Sequence, residues 1–193
     1  MVRSKTQFGL FGRGHRFLPF LFVLPAMLLA AVCPANASFT HLNTWNSWGS
    51  GSFDGPTDAV VAPNGEVYVS DRWNHRIVIF DRYGNYDREI GNTASLTYPL
   101  GILVTTGGEV YIGDNHDHEI AVFDTAGTHL RNIGSTSVFQ FAMDMVIDSK
   151  GDLYGVSWGD ATIRVFHPVS GNLLRSWGNG VGNANNQYHR PIG

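Results

Sequence analysis

Cysteine is almost absent from this sequence, since Cys33 is the only one among 193 residues. A chain with a single cysteine cannot form an internal disulfide or a cysteine-based metal site. Apolar residues at helical spacing are also missing after residue 37, which argues against a helical fold. No phosphate-binding loop and no Ser-His-Asp pattern is present. The stability of the fold is therefore expected to come from packing of a β-rich core.

The N-terminal segment has the composition of a secretory signal peptide. Residues 1–16 contain four basic residues and no acidic one, and residues 17–32 contain no charged side chain. The small residues of Ala35-Asn36-Ala37 then supply a cleavage site. We expect a signal peptide over 1–37 and a mature, secreted or periplasmic chain over 38–193.

Two other roles are possible for this segment. A membrane anchor would need a longer apolar run, and Pro19 and Pro25 interrupt the one that is present. A lipoprotein cleavage site would carry its lipid on Cys33, but the large Val32 precedes that cysteine. We therefore expect no membrane span in the mature chain.

The mature chain is acidic. Four of the thirteen basic residues lie in the signal peptide, whereas all sixteen acidic residues follow Ala37. Nine basic residues against sixteen acidic ones give a mature net charge of −7 with histidine counted neutral, and Lys150 is the only lysine left. Nucleic acid is therefore not an expected partner, because its phosphates require clustered lysine and arginine.

The chain contains an internal repeat with an offset of 43 residues. Glu66–Val69 recurs as Glu109–Ile112, and a weaker third copy contains Asp152–Tyr154. Further pairs at this offset are Pro56 and Pro99, Asp71 and Asp114, Phe80 and Phe123, Gly84 and Gly127, and Gly91 and Gly134. So many matches at one offset indicate three copies of one structural unit.

Each copy has the pattern of four short strands. In the first copy, Glu66–Ser70 and Arg76–Asp81 are rich in β-branched and aromatic residues. Asn64-Gly65 between the first two strands predicts a type I′ turn, in which both central residues have positive φ. The fourth strand is the most polar, as expected for the outermost strand of a sheet.

A four-stranded sheet that is apolar on both faces needs a neighbour on each side, and radial stacking in a β-propeller provides both. The predicted fold class is therefore all-β, a propeller of four-stranded antiparallel blades with three complete blades. We expect these blades at about 56–91, 99–134 and 142–178, with the start of a fourth at 191. A β-solenoid is the alternative, but four antiparallel strands per repeat favour a propeller.

The repeat resembles a known family. Asn64–Asp71 and Asn74–Asp81 are similar to the NHL repeat, which is named after an Asn-His-Leu triplet where this chain has Asn74-His75-Arg76. The resemblance covers residues 39–193 and implies a propeller, most often with six blades. It indicates a secreted NHL-repeat protein.

Six blades would need more repeats than the sequence contains. Thr40–Gly49 resembles the outer strand of a preceding blade, and the fourth copy, which opens at Pro191, stops at its third residue, Gly193. We therefore expect an N-terminal fragment of a longer protein. A dimer of two half-rings is the alternative.

The loop between the second and third strands carries a polar cluster, residues 71–76 in the first copy. Aspartate and asparagine side chains commonly hold such turns by accepting backbone N–H groups, and a feature present in every copy is typical of a scaffold. The alternative is a zinc site, because imidazole and carboxylate groups bind zinc. Its candidate ligands are His75, His116 and His118.

Secreted peptidyl-hydroxyglycine amidating lyases resemble this chain in having a zinc histidine in the same loop. Another of their zinc histidines follows the proline that opens the first strand. The corresponding residues here are Thr57, Leu100 and Met143, none of which is histidine. This departure weakens the lyase interpretation.

Asp58 and Asp144 form a second candidate site, because they lie at matching positions near the start of the innermost strand, with Gly101 between them. Carboxylates that face the channel could bind calcium or a polar ligand, as in the lactonase-like propellers that this fold is similar to. The alternative is that these aspartates are polar strand ends in contact with channel water.

Aromatic residues in the loops are the candidate ligand contacts. Trp73 and Trp158 lie in the loops between the second and third strands, and Arg76 closes the first of these loops. We expect a binding or interaction scaffold that needs no cofactor and presents its loop face to a protein, peptide or glycan. The alternative is an enzyme on the same fold that depends on zinc or calcium, similar to an amidating lyase or a lactone hydrolase.

Overall fold

The computed structural model describes residues 51–135 and 137–178, together with residues 44, 47, 48 and 182. All of these residues lie in the second of two compact units, Asn43–Gly193. The predicted signal peptide and the predicted start of a fourth blade lie outside the described residues. No helix within the described ranges is long and apolar enough to cross a membrane.

Antiparallel strands dominate the described part. Two short strands, β1 (Ser47–Trp48) and β2 (Gly51–Ser52), precede three sheets of four strands. Sheet 1 contains β3 (Pro56–Val61), β4 (Val67–Asp71), β5 (Arg76–Phe80) and β6 (Tyr86–Ile90). Sheet 2 contains β7 (Pro99–Val104), β8 (Glu109–Asp114), β9 (Glu119–Asp124) and β10 (His129–Ile133). Sheet 3 contains β11 (Ala142–Ile147), β12 (Leu153–Ser157), β13 (Thr162–Phe166) and β14 (Leu173–Trp177). The predicted all-β chain with three four-stranded antiparallel units is confirmed.

The hairpin that opens sheet 1 differs from its prediction. Gly65 has a φ of 87°, but Asn64 is not among the residues with positive φ. The Gly65 N–H donates to the carbonyl of Ala62 at 2.8 Å, and the Asn64 side chain accepts the N–H of Glu66 at 3.0 Å. The predicted type I′ turn is therefore wrong. Because the asparagine side chain itself binds the backbone, a longer loop with one left-handed glycine closes the hairpin.

The first strand of each sheet begins with the same irregularity. Pro56 pairs with Asp71, but the regular register resumes only at Ala59. The same shift follows the pairs Pro99–Asp114 and Ala142–Ser157. Two residues of each inner strand are thus left out of the ladder near its open end, as in a β-bulge.

Apolar side chains fill the space between neighbouring sheets. One cluster joins sheets 1 and 2 and includes Tyr68, Ile79 and Ile112, while the next joins sheets 2 and 3 and includes Tyr111 and Phe166. Strands β3, β7 and β11 are neighbours in space and form the inner edge of the three sheets. The sheets therefore stack side by side around this edge.

An arginine in the fourth strand ties sheet 1 to sheet 2, and an equivalent one ties sheet 2 to sheet 3. Arg88 donates from Nε to the carbonyl of Thr125 at 3.0 Å and from its two Nη groups to Glu66. The Arg88 hydrogen bonds lower the pKa of Glu66 to about 2, and burial together with Glu66 raises the pKa of Tyr68 to about 12. Arg131 makes the equivalent bonds between sheets 2 and 3. These bonds fix the position of each sheet relative to the next.

Candidate ligand-binding site

A buried oxygen at the end of the second strand holds the segment that leads into each sheet. The equivalent backbone N–H bonds run from Asp54 to Asp71 (2.6 Å), from Thr97 to Asp114 (2.6 Å) and from Gln140 to Ser157 (2.9 Å). All three acceptor residues are almost completely buried. This shared role agrees with the interpretation of the loop as scaffold.

Arg76 extends this network in sheet 1. Its Nε lies 3.0 Å from a carboxylate oxygen of Asp71, and its Nη1 lies 2.9 Å from Glu89. Nη2 also donates to the carbonyl of Ser52 at 3.1 Å. These bonds engage Arg76 within the scaffold, and its role as a ligand contact stays a prediction.

His75 and His118 connect their loops to the approach segment of the following sheet. Both have a left-handed backbone, with φ values of 57° and 58°. The Nδ1 of His75 donates to the carbonyl of Thr97 at 2.5 Å, whereas the Nδ1 of His118 accepts the N–H of Phe141 at 3.1 Å. Equivalent histidines thus use opposite hydrogen-bonding roles for one structural purpose.

Two of the three predicted zinc ligands contact one aromatic ring, and the third contacts another. His75 and His116 lie against Tyr98, and His118 lies against Phe141. Within the described ranges, no three histidine, cysteine, aspartate or glutamate side chains form a group that could hold a metal ion. The metal site stays a prediction.

A cavity of about 570 Å³ opens where the three inner strands begin, and this volume suits a small-molecule site. It is lined by Thr57, Asp58, Arg72, Leu100, Gly101, Asn115, Phe141, Met143, Asp144 and Trp158. Nine of these ten residues occupy three repeat positions, namely 57/100/143, 58/101/144 and 72/115/158. The cavity therefore receives the same three positions from three consecutive repeats.

The third of these positions has a constant backbone and a variable side chain. The N–H groups of Arg72, Asn115 and Trp158 donate to the carbonyls of residues 55, 98 and 141 at 3.4, 3.0 and 3.1 Å. Each side chain therefore starts from an equivalent point at the edge of the cavity. The side chains themselves are a guanidinium, an amide and an indole.

Residues 53–80 and 96–123 match the family model of the NHL repeat. The chain carries NHL repeats. The two matches include both strands that flank the first and second cavity loops, so the repeat pattern and the cavity coincide in sheets 1 and 2. A sequence comparison with curated proteins finds no match to the chain.

Solved structures share the fold of these NHL repeats. Hydrazine synthase of Kuenenia stuttgartiensis has a TM-score of 0.56 and 17% identity, over 71% of this chain and 39% of that one. A virginiamycin B lyase from Staphylococcus aureus, solved with quinupristin, has a TM-score of 0.54 and 16% identity, over 63% and 40%. A functionally unknown protein from Desulfotomaculum acetoxidans has a TM-score of 0.52 and 20% identity, over 71% and 45%.

These similarities confirm that the three sheets are blades of a partial β-propeller. The chain spans about two fifths of the length of the structures it matches. Sequence identities of this size show a common fold and leave the chemistry of the site to be argued from its own residues.

Two predicted carboxylates of the NHL propeller lie in the cavity. Asp58 accepts the N–H of Ile102 in the next inner strand at 2.8 Å, and Asp144 accepts the N–H of Met145 at 2.7 Å. Gly101 lies between them in the repeat, and a Cβ there would be 2.5 Å from the carbonyl oxygen of Met143. A glycine at this position therefore permits the close approach of β7 and β11.

Arg72 is stacked among aromatic rings at the edge of the cavity. Its guanidinium carbon lies 4.6 Å from the centre of the Trp73 ring and 5.3 Å from that of Tyr98. Its Nε is buried and has no hydrogen-bond partner among the described residues. The NHL propeller thus presents a cation that is held by rings rather than by a carboxylate.

The two predicted tryptophan contacts have different positions. Trp158 lines the cavity and packs edge-on against Phe141. Trp73 is 48% exposed, is not one of the lining residues, and packs edge-on against Tyr98. Trp158 is therefore positioned for direct contact, whereas Trp73 supports Arg72.

Sequence reasoning missed Arg72 and Asn115. Both immediately follow a buried aspartate that the repeat keeps, Asp71 and Asp114. The available signal was the contrast between that constant position and the variable one beside it.

Proposed function

We propose that this NHL-repeat propeller is a binding protein that holds its ligand in the loop-face cavity. The observation that carries the proposal is the division of each repeat into constant and variable positions. Positions 71, 114 and 157 support the backbone, whereas positions 72, 115 and 158 line the cavity with unrelated side chains. Variation beside a constant scaffold is how one fold acquires a specific site.

The lining suits a ligand with both apolar and polar groups. Leu100, Phe141 and Met143 provide apolar surface, and Asp58 and Asn115 provide hydrogen-bonding groups. A peptide segment, the end of a glycan or a small organic molecule would meet both requirements. In this proposal the signal peptide exports the protein, ligand binding needs no cofactor, and the complete propeller has six blades.

A second candidate function is a metal-dependent lyase or lactone hydrolase, and the presence of both Asp58 and Asp144 in the cavity favours it. Carboxylates suit calcium, and a carboxylate can also act as a general base. A streptogramin B lyase has a similar fold. Metal analysis of the purified full chain separates the two functions. Stoichiometric calcium or zinc that disappears in Asp144→Asn would support the enzyme.

Ligand-observed NMR with the full chain tests the binding proposal. The probes are phenylacetate, phenylacetamide, phenethylamine and chitobiose, which present an aromatic or sugar face with different charges. We expect saturation transfer to at least one probe and its loss in Trp158→Ala. Trp177→Ala is the matched control, because Trp177 is a partly exposed tryptophan of the outer strand β14. Equal transfer in wild type and Trp158→Ala, or no transfer to any probe, would overturn the proposal.

A further inference from the structure

We propose that the ligand of this cavity carries a carboxylate and that Arg72 binds it. The inference rests on the proposed binding function and adds the chemical class of the ligand. It depends on three observations. Arg72 lies among aromatic rings, its Nε has no hydrogen-bond partner among the described residues, and two aspartates line the same cavity.

The rings of Trp73 and Tyr98 hold Arg72 in place before any ligand arrives. The guanidinium carbon is 4.6 and 5.3 Å from the two ring centres, within the range of a cation–π contact. Trp73 is itself fixed against Gly55, where a Cβ would come 2.3 Å from the indole ring. A guanidinium that is already oriented loses little entropy when it binds a planar anion.

The hydrogen-bonding groups of Arg72 have no acceptor within the described part of the chain. Nε is buried without a partner, and no hydrogen bond or ion pair joins Nη1 or Nη2 to a described residue. The arginines of the scaffold differ in this respect, because Arg76 and Arg88 each bind a carboxylate. Because Arg72 lines the cavity, a ligand carboxylate can supply the terminal guanidinium N–H groups with the acceptors that the described residues do not provide.

Asp58 and Asp144 favour a carboxylate over a doubly charged anion. Both line the cavity that Arg72 borders, so a phosphate would experience repulsion from two carboxylates. Two backbone N–H groups stabilise Asp58 and one stabilises Asp144, which keeps both acceptors in place. A ligand with one negative charge meets less of this repulsion, and an apolar group beside that charge can contact Phe141 and Trp158.

The test is a titration of the full chain with phenylacetate, phenylacetamide and benzylphosphonate, followed by ligand NMR. We expect phenylacetate to bind at least about tenfold more tightly than the other two, because a charge-assisted pair exceeds a neutral hydrogen bond by that margin. In Arg72→Gln the preference for phenylacetate over phenylacetamide is lost, while the amide keeps its affinity. Arg72→Lys retains the charge without the planar fork and gives an intermediate preference.

Arg82→Gln is the matched control, since Arg82 also packs on an aromatic ring, that of Tyr83, but does not line the cavity. It should leave all three affinities unchanged. Equal binding of phenylacetate and phenylacetamide by the wild type would overturn the carboxylate assignment and leave the binding function intact. Tighter binding of benzylphosphonate would also overturn it. Failure of all three probes to bind would remove the binding function together with the inference.

Discussion

The loops that end β4 in sheet 1 and β8 in sheet 2 have almost the same backbone and opposite charge. Both place a buried aspartate under the approach segment and a left-handed histidine before the third strand. In sheet 1, Arg76 neutralises Asp71, but in sheet 2 the residue paired with Asp114 is Glu119. The repeat therefore conserves geometry, and charge can vary around it.

The acidic loop of sheet 2 has a measurable consequence. Burial, Asp117 and Asp114 raise the pKa of Glu119, with burial the largest cause. No arginine in the described part forms an ion pair with this cluster, whereas sheet 1 has one in Arg76. The scaffold therefore tolerates unfavourable charge where backbone hydrogen bonds already define the loop.

The largest expected effect comes from removal of the buried aspartates. Asp71→Ala should lower the free energy of unfolding by about 3 kcal/mol, because it leaves Arg76 and the approach segment without their acceptor. Asp114→Ala should cost about 2 kcal/mol, since it also removes a charge that opposes Glu119. Urea denaturation of the full chain measures both. An equal or larger loss in Asp114→Ala would contradict the comparison.

The next effect comes from giving sheet 1 the charge pattern of sheet 2. Arg76→Glu should lower the free energy of unfolding by about 2 kcal/mol, because a buried carboxylate then faces another instead of a guanidinium. Glu89→Gln is the control, since it removes only the more exposed partner of Arg76 and should cost under about 0.5 kcal/mol. Thermal unfolding compares the two variants. Similar losses of stability in the two variants would show that the Arg76–Asp71 ion pair contributes no more than the Arg76–Glu89 pair.

A smaller loss of stability is expected at the arginine–glutamate pair that sheets 1 and 2 share. Arg88 and Arg131 hydrogen-bond to Glu66 and Glu109, and these bonds lower the pKa of both carboxyl groups. Each Glu→Gln change should cost about 1 kcal/mol at neutral pH. A lowered pKa contributes stability above the unfolded value near 4.5 that is lost as pH falls, toward about 2 for Glu66. Glu66→Gln should therefore flatten the pH dependence of unfolding in this window.

The smallest expected effect is a gain in stability. Glu119→Gln should raise the free energy of unfolding by about 0.5 kcal/mol at neutral pH, because it removes a like charge beside Asp117 and Asp114. A raised pKa means that the folded state holds the proton of Glu119 more tightly, so the contribution of Glu119 to stability is greatest below about pH 4.5 and is lost as pH rises. The gain should disappear in acid. A loss of stability in Glu119→Gln at pH 7 would contradict this sign.

Much of the fold could be predicted because it repeats. The offset that aligns Glu66–Val69 with Glu109–Ile112 also aligns β4 with β8. The turn at Asn64-Gly65 was predicted in place but with the wrong type, since the sequence does not reveal which group the asparagine side chain will bind. The local sequence pattern thus predicts the position of the hairpin, whereas a side-chain hydrogen bond determines its geometry.

The candidate site was only partly predictable. Asp58, Asp144 and Trp158 were singled out from their repeat positions, and all three line the cavity. Arg72 was not, because nothing in its neighbours along the chain indicates that it lacks a partner. Its ring contact with Tyr98 crosses from sheet 1 to the segment that leads into sheet 2. A contact between repeats has no signal within a single repeat.

The repeating unit and the number of its copies follow from the amino-acid pattern, because strand patterns, turn glycines and buried aspartates act within about forty residues. The residues that share the cavity are set by the packing of the three sheets. Positions 57, 58 and 72 come together with their counterparts only when three sheets pack around the inner strands β3, β7 and β11. Burial and the pairing of charges depend on neighbours that are distant along the chain, and these neighbours bury the Nε of Arg72 without a partner among the described residues.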